Sequence, residues 1–342
     1  MLMKETRQSI LILVLLVAIL VFLPGCSGTG SSPSLPISTI DTPGDIPPDL
    51  SEIQVFFTKN QNDKTSVHIT SLNRDTESTI TLENEGGKVI LSPSGSYLAY
   101  RFGERVNGEY HSGIWVRDLK DGVERKVIIW PEDNSVVQLN NPNFYPEEDK
   151  VIFSIIWYKT DTVGLATVNI DGSDLQIIGI PQGSLNEGPN ISPDGEKILV
   201  LCAGIDVDSG QPGFMLCIMN KDGSERIQLT NNGDSHGRGL FTPDSKKIVY
   251  SESEHGGILG IINKPSYQIK VMDIDGTNEH TILDWKWPIY VQGISEDGEE
   301  IILIEEPTDG STDKLYIINI DGTNLRYLSY FDDFLSDWFP KK

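Results

Sequence analysis

Positive charge is scarce in this sequence of 342 residues. It contains 27 lysines and arginines against 50 aspartates and glutamates, so the formal net charge is −23 (27 − 50). The first 25 residues carry Lys4, Arg7 and Glu5, a net of +1, which leaves −24 (−23 − 1) for the remainder. An acidic surface with no basic block repels phosphate backbones and anionic headgroups. We therefore expect no nucleic-acid partner.

Cysteine is also rare, with three residues in the chain. So few cysteines exclude a small domain that is held together mainly by disulfides. Hydrophobic residues make up 38% of the chain and aromatic residues 8%, which is enough for a sizeable core, and the length allows one to three domains. We expect no cofactor.

Only one long apolar run is present, and it lies at the N-terminus. Residues 10–23 follow Lys4 and Arg7 and number about 14, fewer than the roughly 20 that cross a bilayer as a helix. This length predicts a signal peptide over residues 1–25, with an uncleaved signal anchor as the alternative.

The run ends in a sequence that resembles the bacterial lipobox, Leu23-Pro24-Gly25-Cys26, although Pro24 is unusual there. The resemblance implies that Cys26 is lipidated and becomes the mature N-terminus. It therefore implies a protein anchored to a membrane on the extracytoplasmic side of the cell envelope, at the outer membrane or periplasmic face in a diderm and at the cell surface in a monoderm. Residues 26–50 are rich in Ser, Gly, Pro and Thr, which predicts a flexible tether.

From residue 51 to the end, a tight-turn motif followed by a short apolar strand recurs. Its four turn residues are Ser-Pro-Ser-Gly at 92–95, Ser-Pro-Asp-Gly at 192–195, Thr-Pro-Asp-Ser at 242–245 and Ser-Glu-Asp-Gly at 295–298, with a degenerate Tyr-Pro-Glu-Glu at 145–148. Proline presets φ at the second position and glycine at the fourth tolerates a positive φ. Each copy therefore predicts a tight turn between two strands.

A second motif, an Asp-Gly turn between two apolar runs, alternates with the first. Its copies lie at 121–122, 171–172, 222–223, 275–276 and 321–322. Asp-Gly in this setting is a strong hairpin signal. Each repeat of about 50 residues then supplies four antiparallel strands, A to D, which is the content of one propeller blade.

The two motifs together predict an all-β fold, a six-bladed β-propeller over residues 51–342. The chain opens with strands that resemble B, C and D only, at 53–57, 66–72 and 78–82, and ends with a lone strand-A motif at 336–340. These ends should pair as one composite blade, which removes the free sheet edges.

The repeats resemble those of the TolB family, in which a Ser-Pro-Asp-Gly turn and a later Asp-Gly turn mark each blade. The resemblance covers residues 51–342 and implies a TolB-type, WD40-like propeller. TolB has an additional α/β domain before its propeller, where this sequence has only the predicted tether. The resemblance therefore does not carry over the colicin and Tol–Pal roles of TolB.

Strand alternation places the A–B and C–D turns on one face, the turn face, and the B–C and D–A loops on the other, the loop face. Predicted B–C loops lie at 101–112, 158–163, 203–213, 251–266 and 305–313. Because loops on a rigid scaffold commonly bind ligands, we place the binding site on the loop face. The candidate binding residues are His111, Trp130, His236, Arg238, Glu252, His255, Trp285 and Trp287.

Several of these residues allow a second interpretation. No two histidines have ligand-like spacing, so exposed histidines are favoured over a loop-face metal site. The tryptophans either pack strand ends between blades or stack on a sugar or peptide ligand. Residues 233–237 match the Gly-x-Ser-x-Gly motif, but their polar loop setting favours a glycine-rich loop, and we predict no catalytic residue.

Cys202 and Cys217 are predicted on neighbouring strands B and C of one blade, in an oxidising compartment. They can form a disulfide if the strand register brings their Cα atoms within about 7 Å. Two buried thiols are the alternative.

Three functions agree with these features. The favoured one is a non-catalytic, membrane-anchored binding or scaffold protein for a protein, peptide or glycan. The second is a carbohydrate-active lyase or hydrolase that uses loop-face histidines or carboxylates, and the third is a TolB-like partner in envelope assembly. The acidic loop residues predict a neutral or basic partner that binds with salt-sensitive affinity; they are Glu104, Asp206, Asp208, Glu252, Glu254, Glu305 and Glu306.

Overall fold

The computed structural model describes most of the chain from residue 54 onward. The described residues are 54–61, 64–71, 77–82, 86–106, 109–130, 138–157, 160, 162–178, 186–205, 212–231, 239–254, 266–331 and 334–339. The predicted signal peptide, Cys26 and the predicted tether lie outside these residues, so they stay predictions.

Every regular element among the described residues is a β-strand. In chain order the strands are β1 (Gln54–Gln61), β2 (Lys64–Ser71), β3 (Glu77–Thr81), β4 (Gly86–Leu91), β5 (Tyr97–Val106), β6 (Glu109–Asp118), β7 (Glu124–Ile129), β8 (Gln138–Phe144), β9 (Lys150–Trp157), β10 (Thr162–Asn169), β11 (Gln176–Ile178), β12 (Asn186–Ile191), β13 (Lys197–Ile205), β14 (Pro212–Asn220), β15 (Ile227–Gln228), β16 (Leu240–Phe241), β17 (Lys247–Glu254), β18 (Ser266–Asp273), β19 (His280–Trp285), β20 (Ile289–Ile294), β21 (Glu300–Glu305), β22 (Asp313–Asn319), β23 (Arg326–Phe331) and β24 (Phe334–Phe339). No helix long and apolar enough to cross a membrane occurs in this part of the chain.

In the described part of the chain the strands form six four-stranded antiparallel sheets. Five sheets take four consecutive strands each, and we number them blades 1 to 5: β4–β7, β8–β11, β12–β15, β16–β19 and β20–β23. Blade 6 has the order β24-β1-β2-β3. The predicted all-β architecture of six four-stranded blades is confirmed.

The inner strands of the six blades form a closed ring. Each inner strand contacts the inner strand of the next blade, from β4 through β8, β12, β16 and β20 to β24, and β24 contacts β4 again. Closure depends on the pairing of β24 with β1, in which Phe339 lies opposite Gln54 and Phe334 opposite Thr58. The prediction that the two chain ends meet in one composite blade is confirmed, and this pairing removes two exposed sheet edges.

Hydrogen bonding inside the A–B turns explains why their sequence repeats. In blade 3 the amide of Gly195 donates to the carbonyl of Ser192 at 2.8 Å. The Ser192 hydroxyl accepts from the amide of Lys197 at 2.9 Å and donates to the Asp194 carboxylate at 2.5 Å. Blades 4 and 5 repeat this pattern. A hydroxyl at the first position and a carboxylate at the third therefore form hydrogen bonds within the turn, and the hydroxyl accepts from a backbone amide that would otherwise bond only to water.

Two A–B turns lack glycine at the fourth position and still adopt its backbone conformation. Glu148 has a φ of 60° and Ser245 a φ of 59°, in the left-handed region that costs a side chain roughly 1–2 kcal/mol. Each side chain contacts the A–B turn of the preceding blade: Ser94 donates to the Glu148 carboxylate at 2.6 Å, and the Asp194 amide donates to the Ser245 hydroxyl at 3.1 Å. These hydrogen bonds between blades offset the strain.

Hydrophobic clusters fill the spaces between successive blades. Between blades 3 and 4, Leu199 and Leu216 pack against Ile248, Tyr250 and Met272, all of them buried. Equivalent clusters lie between blades 1 and 2, 2 and 3, 4 and 5, and 6 and 1. Burial on both faces explains why strands B and C read as nearly continuous apolar runs in the sequence.

The B–C connection of blade 1 is shorter than predicted. Strand β5 continues to Val106 and β6 begins at Glu109, so most of the predicted loop 101–112 is a paired hairpin. The polar residues of this segment suggested a loop, but the ladder extends through them.

Candidate functional site

The loop face is described mainly where blades 4 and 5 meet. Here the structure includes the connection 286–288 between β19 and β20 and the connection 306–312 between β21 and β22. Three of the predicted candidates, His236, Arg238 and His255, lie outside the described residues.

His111 is not the exposed loop residue that the sequence favoured. It lies in β6, opposite Glu104 in the ladder with β5, and its side chain is 8% exposed. The hairpin that replaces the predicted loop buries this imidazole, so the prediction of an exposed histidine was wrong.

Glu252 is also buried in a strand rather than exposed in a loop. It lies in β17 with 2% exposure, and its carboxylate Oε2 is 2.6 Å from the Lys270 ammonium of β18. Lys270 also reaches the Glu279 carboxylate at 3.2 Å. Burial alone would lower the pKa of Lys270, but the hydrogen bonds and charges of Glu252 and Glu279 together outweigh it and raise the pKa. Glu252 therefore serves as the partner of Lys270 inside the blade.

Glu252 occupies a position that blades 1 to 5 repeat, the tenth residue after the first residue of each A–B turn. In blade order the residues at this position are Phe102, Ile155, Cys202, Glu252 and Glu305, and none is more than 2% exposed. Each has a diagonal neighbour on the third strand; in the same order these neighbours are Trp115, Ala166, Cys217, Lys270 and Tyr316. We call these residues the diagonal pairs.

The diagonal pair of blade 3 is a disulfide. The register places Cys217 opposite Val200 and Cys202 opposite Met215, so the bond crosses the two strands diagonally. The Cα atoms are 5.9 Å apart, within the range that a disulfide requires. Of the two alternatives for these cysteines, the structure contains the bonded one.

In blade 5 the buried Glu305 accepts a hydrogen bond from a blade 4 side chain near the loop face. Its carboxylate Oε2 accepts from the Trp285 indole Nε1 at 2.5 Å, and its Oε1 lies 3.6 Å from the Lys314 ammonium. The Trp285 ring meets Tyr316 edge-on, with ring centroids 5.2 Å apart. Trp285 therefore joins blades 4 and 5, which is the packing alternative for this residue.

Trp287 differs from the other two candidate tryptophans in its packing. Trp130 and Trp285 pack against the clusters between blades 1 and 2 and between blades 4 and 5, whereas Trp287 belongs to neither cluster. Its ring is partly exposed, and the Lys286 ammonium lies 4.5 Å from the ring centroid, within cation–π distance. Trp287 thus presents an aromatic face at the end of blade 4.

Four side chains near the Trp287 connection influence one another electrostatically. The amide of Glu306 donates to the carbonyl of Pro288 at 2.9 Å, which ties the end of β21 to the Trp287 connection. Burial raises the pKa of Glu306, and the nearby Asp313 carboxylate raises it further. Burial likewise raises the pKa of Tyr290, with added contributions from Glu306 and Tyr267. We call Tyr267, Trp287, Tyr290, Glu306 and Asp313 the loop-face cluster.

Sequence reasoning selected only part of this cluster. Trp287 was a candidate and Glu306 one of the loop acids, but Tyr267, Tyr290 and Asp313 were missed. Tyr290 lies in an apolar stretch that reads as strand core, whereas Tyr267 stands between Ser266 and Gln268 without a local signal of a site. The signal that could have found them is their place at strand ends next to the predicted loops.

Among the described residues, no group of three or more His, Cys, Asp and Glu side chains is arranged to hold a metal ion. His236 and His255 lie outside this part of the chain, so the alternative of a histidine metal site is untested.

The closed ring of six four-stranded antiparallel blades defines a six-bladed β-propeller. Its solved structural relatives include TolB from Acinetobacter baumannii, with 16% identity, a TM-score of 0.59 and coverage of 86% of this chain and 68% of that chain. An oligogalacturonate lyase in complex with manganese has 16% identity, a TM-score of 0.57 and coverage of 78% and 71%. The oligogalacturonate lyase of Vibrio parahaemolyticus has 14% identity, a TM-score of 0.58 and coverage of 81% and 74%.

These likenesses concern the fold, since the sequence identities are low. They confirm the TolB-type propeller that the repeats indicated. No protein-family model and no curated protein matches the sequence. The same fold appears in TolB and in lyases, so activity has to be argued from the side chains at the site.

Proposed function

We propose that this protein is a membrane-anchored, extracytoplasmic β-propeller that binds a protein, peptide or glycan at its loop face without catalysing a reaction. In this proposal the lipidated Cys26 anchors the chain and residues 27–50 tether the propeller to the membrane. The anchor holds the binding face near the cell envelope, where its ligand is found.

The observation that supports this proposal is the loop-face cluster. Trp287 offers a partly exposed aromatic ring for stacking, and Glu306, whose amide is hydrogen-bonded to the neighbouring Pro288 carbonyl, offers a hydrogen-bond acceptor beside the same connection. Tyr267, Tyr290 and Asp313 lie on strands, and two hydrogen bonds hold the connections beside them: the Glu306 amide donates to the Pro288 carbonyl and the Trp285 indole to the Glu305 carboxylate. A preformed site of this kind loses little conformational entropy when a ligand binds.

The charge of the protein restricts the ligand. A formal net charge of −23 disfavours acidic partners, so the ligand is neutral or basic. A neutral sugar chain would bind with an affinity that hardly depends on salt. A basic protein or peptide would lose affinity as ionic strength rises, because salt screens exposed charges beyond about 10 Å at 0.1 M.

The test is a crosslinking pull-down from intact cells with the full-length chain, compared with a Trp287→Ala variant. We expect the captured ligand to be reduced at least about tenfold in Trp287→Ala, since aromatic anchors dominate binding energies. Ile227→Ala, which alters an exposed residue on β15 of blade 3, is the matched control and should capture normally. Equal capture by Trp287→Ala would contradict the proposal. Co-purification of a peptidoglycan-associated lipoprotein would instead favour a TolB-like role in envelope assembly.

A carbohydrate-active lyase or hydrolase is the second candidate, and Glu306 is the observation that favours it. A half-buried carboxyl with a raised pKa beside a second carboxylate is the arrangement that general acid catalysis uses. Incubation of the full-length chain with neutral and uronic acid oligosaccharides, followed by mass spectrometry, tests this directly. Products that disappear in a Glu306→Gln variant would replace binding by catalysis as the function of this face.

A further inference from the structure

Blade 6 carries a histidine between two hydroxyl groups. His68 lies in β2 with 9% exposure. Its ring nitrogen Nε2 is 2.9 Å from the Ser66 hydroxyl, and its Nδ1 is 3.2 Å from the Thr79 hydroxyl of β3. A hydroxyl, an imidazole and a third group that orients the imidazole are the components that activate a nucleophilic serine. None of these residues belongs to the loop-face cluster.

The strand register places these side chains on one side of the blade. Ser66 and His68 are two residues apart in β2, so their side chains point the same way. Their partners in the ladder with β3 are Thr81 and Thr79, respectively. Val67, which lies between them, points the other way and belongs to the hydrophobic cluster between blades 6 and 1. The four polar side chains therefore face away from blade 1.

The two distances assign the hydrogen atoms around the imidazole. A neutral imidazole has one nitrogen that donates and one that accepts. Hydroxyl donors typically lie within about 3.0 Å of their acceptor, whereas N–H donors reach about 3.2 Å. The 2.9 Å contact therefore fits a Ser66 hydroxyl that donates to Nε2, and the 3.2 Å contact fits an Nδ1–H that donates to Thr79. In this arrangement Nε2 of His68 can accept the Ser66 proton.

Ser66 is accessible to a small reactant. It is partly exposed, and Thr79 and Thr81 beside it are exposed. The Thr81 hydroxyl has no hydrogen-bond partner in the described part of the chain. Residues directly opposite each other in an antiparallel pair have Cβ atoms about 4.5–5.5 Å apart, so this hydroxyl lies close to Ser66. It can donate to a negative oxygen that develops beside Ser66.

We propose that Ser66 is a catalytic nucleophile that takes the acyl group of a small, uncharged carboxylic ester, with His68 as its general base. Thr79 is a positioning residue that orients the imidazole through Nδ1, and Thr81 donates to the carbonyl oxygen. The partial burial of Ser66 restricts the size of the ester, and the net charge of −23 disfavours an anionic one. The proposed function assigns binding to the loop-face cluster, so the two proposals can fail independently.

The reaction balances with water as the second reactant. The Ser66 oxygen forms a bond to the acyl carbon while its proton moves to Nε2 of His68. The bond between the acyl carbon and the alcohol oxygen then breaks, and the alcohol leaves with that proton. Water attacks the acyl group and gives a proton to Nε2, which returns it to the Ser66 oxygen. The products are a carboxylic acid and an alcohol.

The test combines a covalent probe with an ester substrate on the full-length chain. A fluorophosphonate labels activated serines, and mass spectrometry of peptides identifies the labelled residue. Release of p-nitrophenol from p-nitrophenyl acetate measures turnover. The variants are Ser66→Ala, His68→Gln, Thr79→Val and Thr79→Ser. His280→Ala is the matched control, because His280 is an exposed imidazole in blade 4 that can cleave this ester without a serine.

We expect the probe to label Ser66 alone. Labelling and hydrolysis should both fall at least about a hundredfold in Ser66→Ala and His68→Gln, within the range of general base catalysis. Thr79→Val should lower both at least about tenfold, whereas Thr79→Ser should retain them, because a serine hydroxyl can also accept from Nδ1. His280→Ala should differ from the wild-type protein by less than about twofold, since it lies in another blade.

Three outcomes would overturn the proposal. These are no labelling of the wild-type protein, labelling of Thr79 in place of Ser66, and rates that are unchanged in His68→Gln. Circular dichroism shows whether each variant is folded. If His68→Gln does not fold, the two Thr79 variants decide, because they alter an exposed side chain. Equal labelling of Thr79→Val and Thr79→Ser would then show that the histidine is only a packing residue.

Discussion

Blades 3 and 4 place a diagonal pair of side chains at the same buried position, facing the preceding blade. In blade 3 the pair is the Cys202–Cys217 disulfide, and in blade 4 it is the ion pair of Glu252 with Lys270 at 2.6 Å. The first residue of each pair is almost completely buried, at 0% and 2% exposure. The repeat therefore determines that the position is buried, whereas the chemistry that fills it varies, provided that each polar group finds a partner nearby.

The largest effect should come from breaking the blade 4 pair. Lys270→Met leaves the Glu252 carboxylate buried without its cation and should destabilise the protein by about 3–5 kcal/mol. The double variant Glu252→Leu/Lys270→Met replaces both charges by apolar groups, as blade 2 does with Ile155 and Ala166. It should recover most of the stability in urea unfolding of the full-length chain. Equal losses of stability in the single and double variants would show that the unpaired Glu252 carboxylate is not the cause of the destabilisation.

The blade 3 pair should have the next largest effect. The disulfide closes a loop with a sequence separation of 15, for which the chain-entropy estimate is about 3 kcal/mol. The double variant Cys202→Ala/Cys217→Ala should be destabilised by about this amount. Part of the loss should come from the smaller alanine side chains rather than from the missing crosslink. Wild-type protein unfolded under reducing conditions is the control for the crosslink alone. If reduction shifts the urea midpoint by less than the measurement error, the bond contributes nothing to this blade.

Blade 5 extends the comparison, because its buried Glu305 is satisfied by a residue of blade 4. Trp285→Phe removes the indole donor and should cost about 1–3 kcal/mol, the range for a buried acceptor that loses its hydrogen-bond partner. Glu305→Leu in the same background should return part of that loss, as measured by thermal unfolding. A neutral effect of Trp285→Phe would mean that Lys314 alone satisfies the carboxylate.

The smallest effect concerns Glu306, which is only half-buried. Its pKa is raised in the folded state, so its contribution to stability is fully present below the unfolded pKa of about 4.3 and is lost as pH rises through the folded pKa. Glu306→Gln should therefore stabilise the protein at neutral pH, by about 0.5 kcal/mol after solvent screening, and this gain should vanish toward pH 4. Glu299→Gln, at an exposed carboxylate, is the control. A gain that persists at low pH would rule out titration as its cause.

Much of the fold could be predicted because its signals are local. The A–B turn depends on a hydroxyl, a carboxylate and a positive φ within a few residues, as Ser192, Asp194 and Gly195 show. Five such turns at an interval of about 50 residues, together with the lone strand-A motif at 336–340, specify six blades. The same signals identified the chain ends as one composite blade, which β24 and β1 form.

The candidate site was predicted less well, because it depends on which side chains become buried between neighbouring strands and blades. His111 and Glu252 are polar and lie near loops in the sequence, yet both are buried when strands extend past the predicted loop boundaries. Tyr290 reads as a core residue, yet Glu306 and Tyr267 both raise its pKa, which places the three side chains near one another. Trp287 was found because the strand pattern places it at a D–A junction, which alternation assigns to the loop face.

The sequence by itself determined the repeat, the number of blades and the closure of the ring, since each follows from turn chemistry and strand period within short segments. The tertiary structure decided which side chains meet. The disulfide in blade 3, the ion pair in blade 4 and the hydrogen bond from Trp285 to Glu305 all depend on strand register and on the seam between neighbouring blades. Those contacts join residues from about 15 to 20 positions apart along the chain, and only the packing of strands against one another brings them within bonding distance.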